Sequence, residues 1–203
     1  MYKGQKIGSF GDCACFSLYP SKTFGALGNA GIITTNNKNI LKKAQMYANH
    51  GLYGEKYKHH LVGLNEKIDN LQAAFLNVKM PFLESWIEKK LQIAQKYQNA
   101  FAEKKVRTMF WPDDTRPSIY VFSIFIKNRD KFATYLLENG VQTGTYYPIP
   151  LHLQESLSFL GYKKGDFPQA ELYAQQTLSL PLYPELAQDE INYICDLVKK
   201  YQF

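Results

Sequence analysis

Apolar positions along this chain recur at two spacings. "NILKKAQMYA", from Asn39, sets Ile40, Leu41, Ala44 and Tyr47 on one side of a helix, with Asn37 or Asn39 placed to cap it and "NHGLYG" to end it. "NEKIDNLQAAFLNVKM" predicts a second helix from Asn65, striped by Ile68, Leu71, Phe75 and Leu76 and interrupted at Pro81. A long third helix is expected from about Phe82 to Lys104, where Leu83, Trp86, Ile87, Leu91, Ala94, Tyr97 and Phe101 trace one side; its length suits a connector between two lobes. Beyond Val106 strand and helix signals alternate. "SIYVFSIFI" reads as a strand, "RDKFATYLLEN" as a helix closed by Gly140, and "VQTGTYYPIP" as a strand running into a proline-bounded loop. Two further helices are expected at Gln169–Thr177 and Gln188–Tyr201, separated by "LSLPLYPEL". Near the start, "CACFSL" and "GIITT" predict two short strands with Lys22 in the loop between them.

These elements define an α/β chain divided at residues 1–81, 82–105 and 106–203. Its 203 residues, 45% hydrophobic and 15% aromatic, suffice for one large core or two small ones. No run reaches the roughly 18 apolar residues of a membrane span, and "MYKGQKIGSFGD" lacks the apolar core of a signal peptide, so a soluble, cytoplasmic protein without a membrane partner is expected. Cys13 and Cys15 lie two apart and Cys195 is remote, which is not zinc-knuckle spacing; structural thiols and no metal are expected. Lys+Arg exceed Asp+Glu by 24 to 18, but the basic residues are scattered in short pairs such as Lys42-Lys43 and Lys104-Lys105. That pattern argues against nucleic acid and suits a small anionic ligand.

Candidate chemistry centres on Lys22. It follows a buried strand, with Ser17, Tyr19 and Ser21 before it and small residues after it that let backbone approach a ligand closely. A lysine so placed can act as an amine nucleophile toward an aldehyde.

The stretch "GSFGDCACFSLYPSKTFGALGNAGIITTN" resembles the cofactor-lysine segment of the DegT/DnrJ/StrS family, fold-type I aminotransferases that use pyridoxal 5'-phosphate on nucleotide-linked keto sugars. Later motifs follow in the same order: "NHG" at Asn49, "KYKHHLVGLN" at Lys56, "DNLQAAFL" at Asp69, "YYPIPLHLQ" at Tyr146 and "LSLPLYPEL" at Leu178. The resemblance implies a partial fold-type I fold: residues 1–81 end the large cofactor domain and its sheet, 82–105 connect, and 106–203 form the small C-terminal α/β domain. It implies that Lys22 holds the cofactor aldehyde and later shuttles a proton, and that Ser17 hydrogen-bonds the cofactor phosphate. It also implies that Asn65 reaches the phosphate of a second subunit's cofactor, hence a homodimer at full length. For Asn65 a helix cap is the plainer alternative. Tyr19, Lys56, Tyr57, Tyr146, Tyr147 and His152 fall where relatives hold the sugar and its diphosphate. The alternatives there are a core aromatic for Tyr19, a solvated charge for Lys56 and a hydrogen-bonded structural histidine for His152. The "KYxH...GxN" spacing and "YPIPLHLQ" are most similar to the branch that aminates dTDP-linked 3-keto-6-deoxy sugars, with glutamate the expected donor. Lys22 argues against the family's dehydratases, which carry histidine there.

The sequence departs from the family at Asn29, usually acidic, at Lys67, usually arginine, and at Tyr146, often histidine. Lysine offers a point charge where arginine offers a bidentate fork. Members of the family are nearly twice as long, and the matched stretch begins a little under halfway along them. The aspartate that pairs with the cofactor's pyridine nitrogen and the aromatic that stacks on its ring are expected before Met1. The chain is therefore expected to be a C-terminal portion, inactive alone, or a non-catalytic or split subunit that complements a separate N-terminal half.

Overall fold

A computed structural model describes residues 1–104 and 106–203. Lys105, the last residue of the expected connector, lies outside the described residues. The chain forms two compact units, Met1–Ser85 with Trp111–Ser118, and Trp86–Phe110 with Ile119–Phe203.

In the first unit, β1 (Ala14–Ser17) pairs antiparallel with β2 (Gly31–Thr34), Cys15 opposite Ile33 and Ser17 opposite Gly31. α1 (Lys38–Ala48) starts at Asn37, whose side chain accepts the Asn39 and Ile40 amides, satisfying two donors that every helix start leaves orphaned. α2 (Asn70–Lys79) begins five residues later than the apolar pattern predicts. The cause is backbone pairing: Leu64 and Glu66 donate to the Tyr47 and Ala48 carbonyls, while the Leu64 carbonyl accepts from His50, so this stretch is extended. Asn65 bridges Asn49 and caps no helix, which corrects the cap reading. The buried face also differs from the predicted stripe. Leu71 is 82% exposed, and Leu76 is the residue of α2 that joins the small core with Leu18 and Ala26.

The second unit is built on a three-stranded antiparallel sheet. β3 (Arg107–Thr108) and β5 (Thr177–Leu180) flank β4 (Phe122–Phe125), with Phe122 opposite Leu180 and Ile124 opposite Leu178. Alternation puts Phe122 and Ile124 on a fully buried face, where the Tyr97 ring of α3 (Leu83–Glu103) meets Phe122 at 5.3 Å. α4 (Arg129–Glu138) contributes Phe132 and Leu136, and α6 (Gln188–Lys200) contributes Ile191, Ile194, Leu197 and Val198. α5 (Pro168–Gln176) leads directly into β5.

Three expectations change here. The segment 118–126 is strand only over Phe122–Phe125. "LSLPLYPEL" is not merely a connection, since its first residues complete β5, fully buried from Thr177 to Leu180. The segment 141–150 is mostly loop: it touches the sheet at one bridge, Gly144 to Ser179, and prolines 148 and 150 lack the amide donors a ladder needs. Gly140, at φ +77°, ends α4 as expected.

Candidate functional site

Lys22 sits half-buried in the turn that follows β1, its amide donating to the Tyr19 carbonyl at 2.8 Å. The loop is closed on itself: Leu18 donates to Ala30, and Ala26 donates back to Leu18. Gly25 passes so close to Pro20 that an added Cβ would lie 2.2 Å from its carbonyl oxygen, so only glycine fits. At the end of β1, Ser17 Oγ accepts the Tyr19 amide in a long, 3.4 Å contact. Tyr19 is 52% exposed, which corrects the core-aromatic reading. The free cysteines 13 and 15 are exposed, so they are not buried structural thiols.

A second cluster hangs from the end of α1. Segments 49–52 and 59–65 pair through Asn49–Asn65 and Leu52–His59 bridges and through His60 donating to Gly51. The pairing is tight because Gly51 and Gly63 have no side chains; a Cβ on Gly51, at φ +81°, would lie 1.8 Å from the Leu61 oxygen. This base presents Lys56 and Tyr57 at the tip. Lys56 Nζ lies 5.1 Å from the Tyr57 ring centroid, Tyr57 is 80% exposed, and Lys58 pairs with Glu55 at 3.0 Å. The first unit thus carries Ser17, Tyr19, Lys22, Lys56, Tyr57 and Asn65.

The remaining three predicted residues meet in the second unit. Tyr146, Tyr147 and His152 line a cleft of about 950 Å³ walled mainly by aromatic and aliphatic side chains, Phe125, Phe167 and Tyr173 among them. Tyr146 and Tyr147 are joined by a cis peptide and set edge to face at 5.6 Å. Arg129 fixes their loop, reaching Thr145 at 3.5 Å and the Ala174 and Thr177 carbonyls at 3.3 and 3.2 Å. His152 has the geometry of a hydrogen-bonded structural histidine whose ring also faces the cleft. Its side chain is 7% exposed, and Nε2 lies 3.1 Å from Glu171 Oε1, to which the Gly165 amide donates at 2.6 Å. The Gly165 amide and, against the cost of burial, the His152 ring hold the Glu171 carboxyl below the usual carboxylate range. Glu171 escaped the sequence reading because an acidic residue in the first turn of a helix looks like a helix-dipole partner.

Among the described residues no group of three His, Cys, Asp or Glu could hold a metal, and no helix is long and apolar enough to cross a membrane. The donor set of the Lys22 loop suits a ligand that is both carbonyl and anion. An amine and a hydroxyl flank one turn, no Asp or Glu occurs from Phe16 to Thr35, and the Lys79 ammonium lies at the Gly25 carbonyl, 2.6 Å away. A mixed α/β chain with a lysine loop between two paired strands fits part of a fold-type I cofactor-dependent fold.

Residues 1–199 match the DegT/DnrJ/EryC1/StrS aminotransferase family, and the chain belongs to it. It is 36% identical over 203 residues to a pleiotropic regulatory protein of Geobacillus stearothermophilus, covering 98% of this chain and 54% of that one. It is 31% identical over 201 residues to the dTDP-3-amino-3,4,6-trideoxy-alpha-D-glucose transaminase of Streptomyces venezuelae, covering 98% and 53%. Among solved structures it is similar to DesV of S. venezuelae in complex with a ketimine intermediate, with a TM-score of 0.94 at 31% identity, covering 98% of this chain and 54% of that one. The chain spans about half the length of the curated relatives it matches. Aminotransferases of this family depend on pyridoxal 5'-phosphate.

Proposed function

We propose that this chain supplies the lysine-bearing portion of a pyridoxal-phosphate-dependent aminotransferase, which moves an amino group from glutamate to a dTDP-type keto-6-deoxyhexose in the cytoplasm. The observation that carries the reading is the closed loop holding Lys22 one turn beyond Ser17. In this reading residues 1–81 end the cofactor domain, 82–105 connect and 106–203 form the small domain.

The cofactor, when bound, supplies an electron sink for the negative charge left on a deprotonated carbon. Lys22 Nζ would hold its aldehyde carbon and, as a free amine, would take a proton from the donor's α carbon and deliver one to the sugar carbon that receives the amine. The Ser17 hydroxyl would donate to its phosphate. Tyr19, Lys56 and Tyr57 bind the sugar diphosphate, Lys56 by charge and Tyr57 by its exposed face. For Tyr146, Tyr147 and His152, within the second unit, a sugar-nucleotide role rests on the family resemblance alone. Asn65 reaches the cofactor phosphate of a second copy, which makes the full-length protein a homodimer.

Titration of the purified chain with pyridoxal 5'-phosphate tests this. A saturable visible absorbance band that is lost in Lys22→Ala, and that glutamate does not bleach in a chain inactive alone, is expected; equal spectra for wild type and Lys22→Ala would refute the reading, and bleaching by glutamate would show that the chain keeps a working half-site. A second reading is favoured by the two-stranded sheet of the first unit, whose outer edges carry no ladder among the described residues. In it the chain is a non-catalytic or split subunit completed by a separate N-terminal half. Transamination that arises only on mixing the two polypeptides selects this reading.

A further inference from the structure

The turns of the Lys22 loop do not hold it alone. Gln72, Leu76 and Lys79 stand at i, i+4 and i+7 of α2, so they share one side of the helix, and all three meet this loop. Gln72 Oε1 accepts the Gly28 amide at 2.8 Å while its Nε2 donates to the Asn29 carbonyl at 3.4 Å. The fit is close, since a Cβ on Gly28 would lie 3.1 Å from Gln72 Nε2. Lys79 Nζ donates to the part-buried Gly25 carbonyl at 2.6 Å, and its ammonium lies 5.1 Å from the Phe75 ring centroid. Between these polar contacts Leu76, 6% exposed, packs with Leu18 and Ala26.

We propose that Gln72 and Lys79 are positioning residues for Lys22. They act through the loop backbone: three of its polar groups, at Gly25, Gly28 and Asn29, are matched by three side-chain groups on one rigid helix. The bonds at Gly25 and Gly28 are part-buried, where an unpaired amide or carbonyl is costly, while the Asn29 carbonyl is exposed; the first two therefore hold the loop in one conformation while α2 supplies their partners. That conformation fixes the segment following Lys22 against β1, and with it the placement of the Lys22 amine relative to Ser17. The charge-assisted bond from Lys79 is the stronger tie, and the two-way contact of Gln72 sets the register of the loop's far limb. The clamp itself rests on geometry alone; its value for holding a cofactor rests on the aminotransferase reading above.

Two measurements on the purified chain test the inference, comparing wild type with Gln72→Ala, Lys79→Met and Lys79→Arg. The first is amide hydrogen exchange. The Gly28 amide should exchange about tenfold faster in Gln72→Ala, and residues 25–30 should do so in Lys79→Met, with Lys79→Arg restoring protection because it keeps a donor. Amides of β4 and β5, in the other unit, should not change, which separates loop release from unfolding. The second is the rate at which pyridoxal 5'-phosphate with borohydride labels Lys22, read by peptide mass; it should fall in Gln72→Ala and Lys79→Met and return in Lys79→Arg. Unchanged exchange in the loop overturns the clamp, and faster exchange with unchanged labelling overturns the positioning role. If wild-type Lys22 is labelled no faster than the other lysines, the aminotransferase reading fails while the exchange rates still decide the clamp.

Discussion

Single residues here are constrained most where a polar group has no water to fall back on. Glu171 takes the Gly165 amide and the His152 ring on one oxygen, and both bonds favour its ionised form. A carboxyl whose folded pKa lies below its unfolded value adds stability above the unfolded value, and that contribution is lost as pH falls through the folded one. Glu171→Gln should therefore melt lower than wild type at neutral pH, and the gap should close in acid. Melting curves across that range check it, and a gap that persists unchanged in acid would show that the charge is not what Glu171 contributes. Gly51 is constrained differently, by backbone at φ +81° and by the Leu61 oxygen 1.8 Å from any Cβ placed there. Gly51→Ala should cost about 2–3 kcal/mol, read from the shift of the urea midpoint multiplied by the slope, and loosen the 49–66 base that presents Lys56 and Tyr57. A midpoint within error of wild type would mean that the two limbs part at little cost.

The elements show which physical signals a sequence carries openly. The strand–Lys22–strand order, the long α3 and the Gly140 stop of α4 follow from local pattern, and all three stand in the structure. Tertiary pairing overrode pattern elsewhere. Residues 65–69 have helical texture, yet the backbone of residues 64–66 serves the end of α1; "LSL" reads as a linker beside two prolines, yet β4 recruits it as β5. The face of α2 that matters is marked by Gln72 and Lys79, two polar residues on either side of Leu76, and an apolar stripe search passes over both. Of the candidate site, the lysine loop was legible because glycine and small residues have a local reason to be there. Glu171 was not, because its partner His152 is nineteen residues away. α6 yields a prediction at this scale. Glu190 accepts the Ala187 amide at 2.8 Å, one half of a capping box, but alanine has no oxygen to return the bond. Ala187 already has extended backbone, so Ala187→Ser should supply the missing half and raise stability by about 0.5–1 kcal/mol, measured by chemical denaturation. No gain would mean that water already satisfies those amides at no cost.

At the scale of the whole molecule the two units differ in how much core they own. Four of the buried apolar residues among those described, Leu18, Ala26, Met46 and Leu76, lie in the first unit, and twenty lie in the second. Both units leave large apolar side chains in water, Leu71 at 82% and Val78 at 69% in the first and Phe110 at 85% and Phe159 at 79% in the second, so the difference lies in the core and not in the surface. The first unit's order leans on backbone closures, on glycine contacts and on the polar ties from α2, each of which is weak next to a packed core. The second unit has the aromatic cluster of Phe101, Phe132, Tyr201 and Phe203 and a sheet that buries Phe122, Ile124, Leu178 and Leu180. Local opening should therefore cost far less in the first unit than in the second. Limited proteolysis of the chain should cut first within residues 1–85, with the exposed 55–60 tip as the earliest site. The fragment from about residue 86 to 203 should persist longest and keep its melting transition. Pyridoxal 5'-phosphate, which the proposed reading seats on the first unit, should slow those early cuts and leave the later ones unchanged, since a ligand stabilises only the unit it binds. Early cleavage between Phe122 and Leu180 would refute the ordering, and protection of both units to the same degree would place the ligand somewhere other than the Lys22 loop.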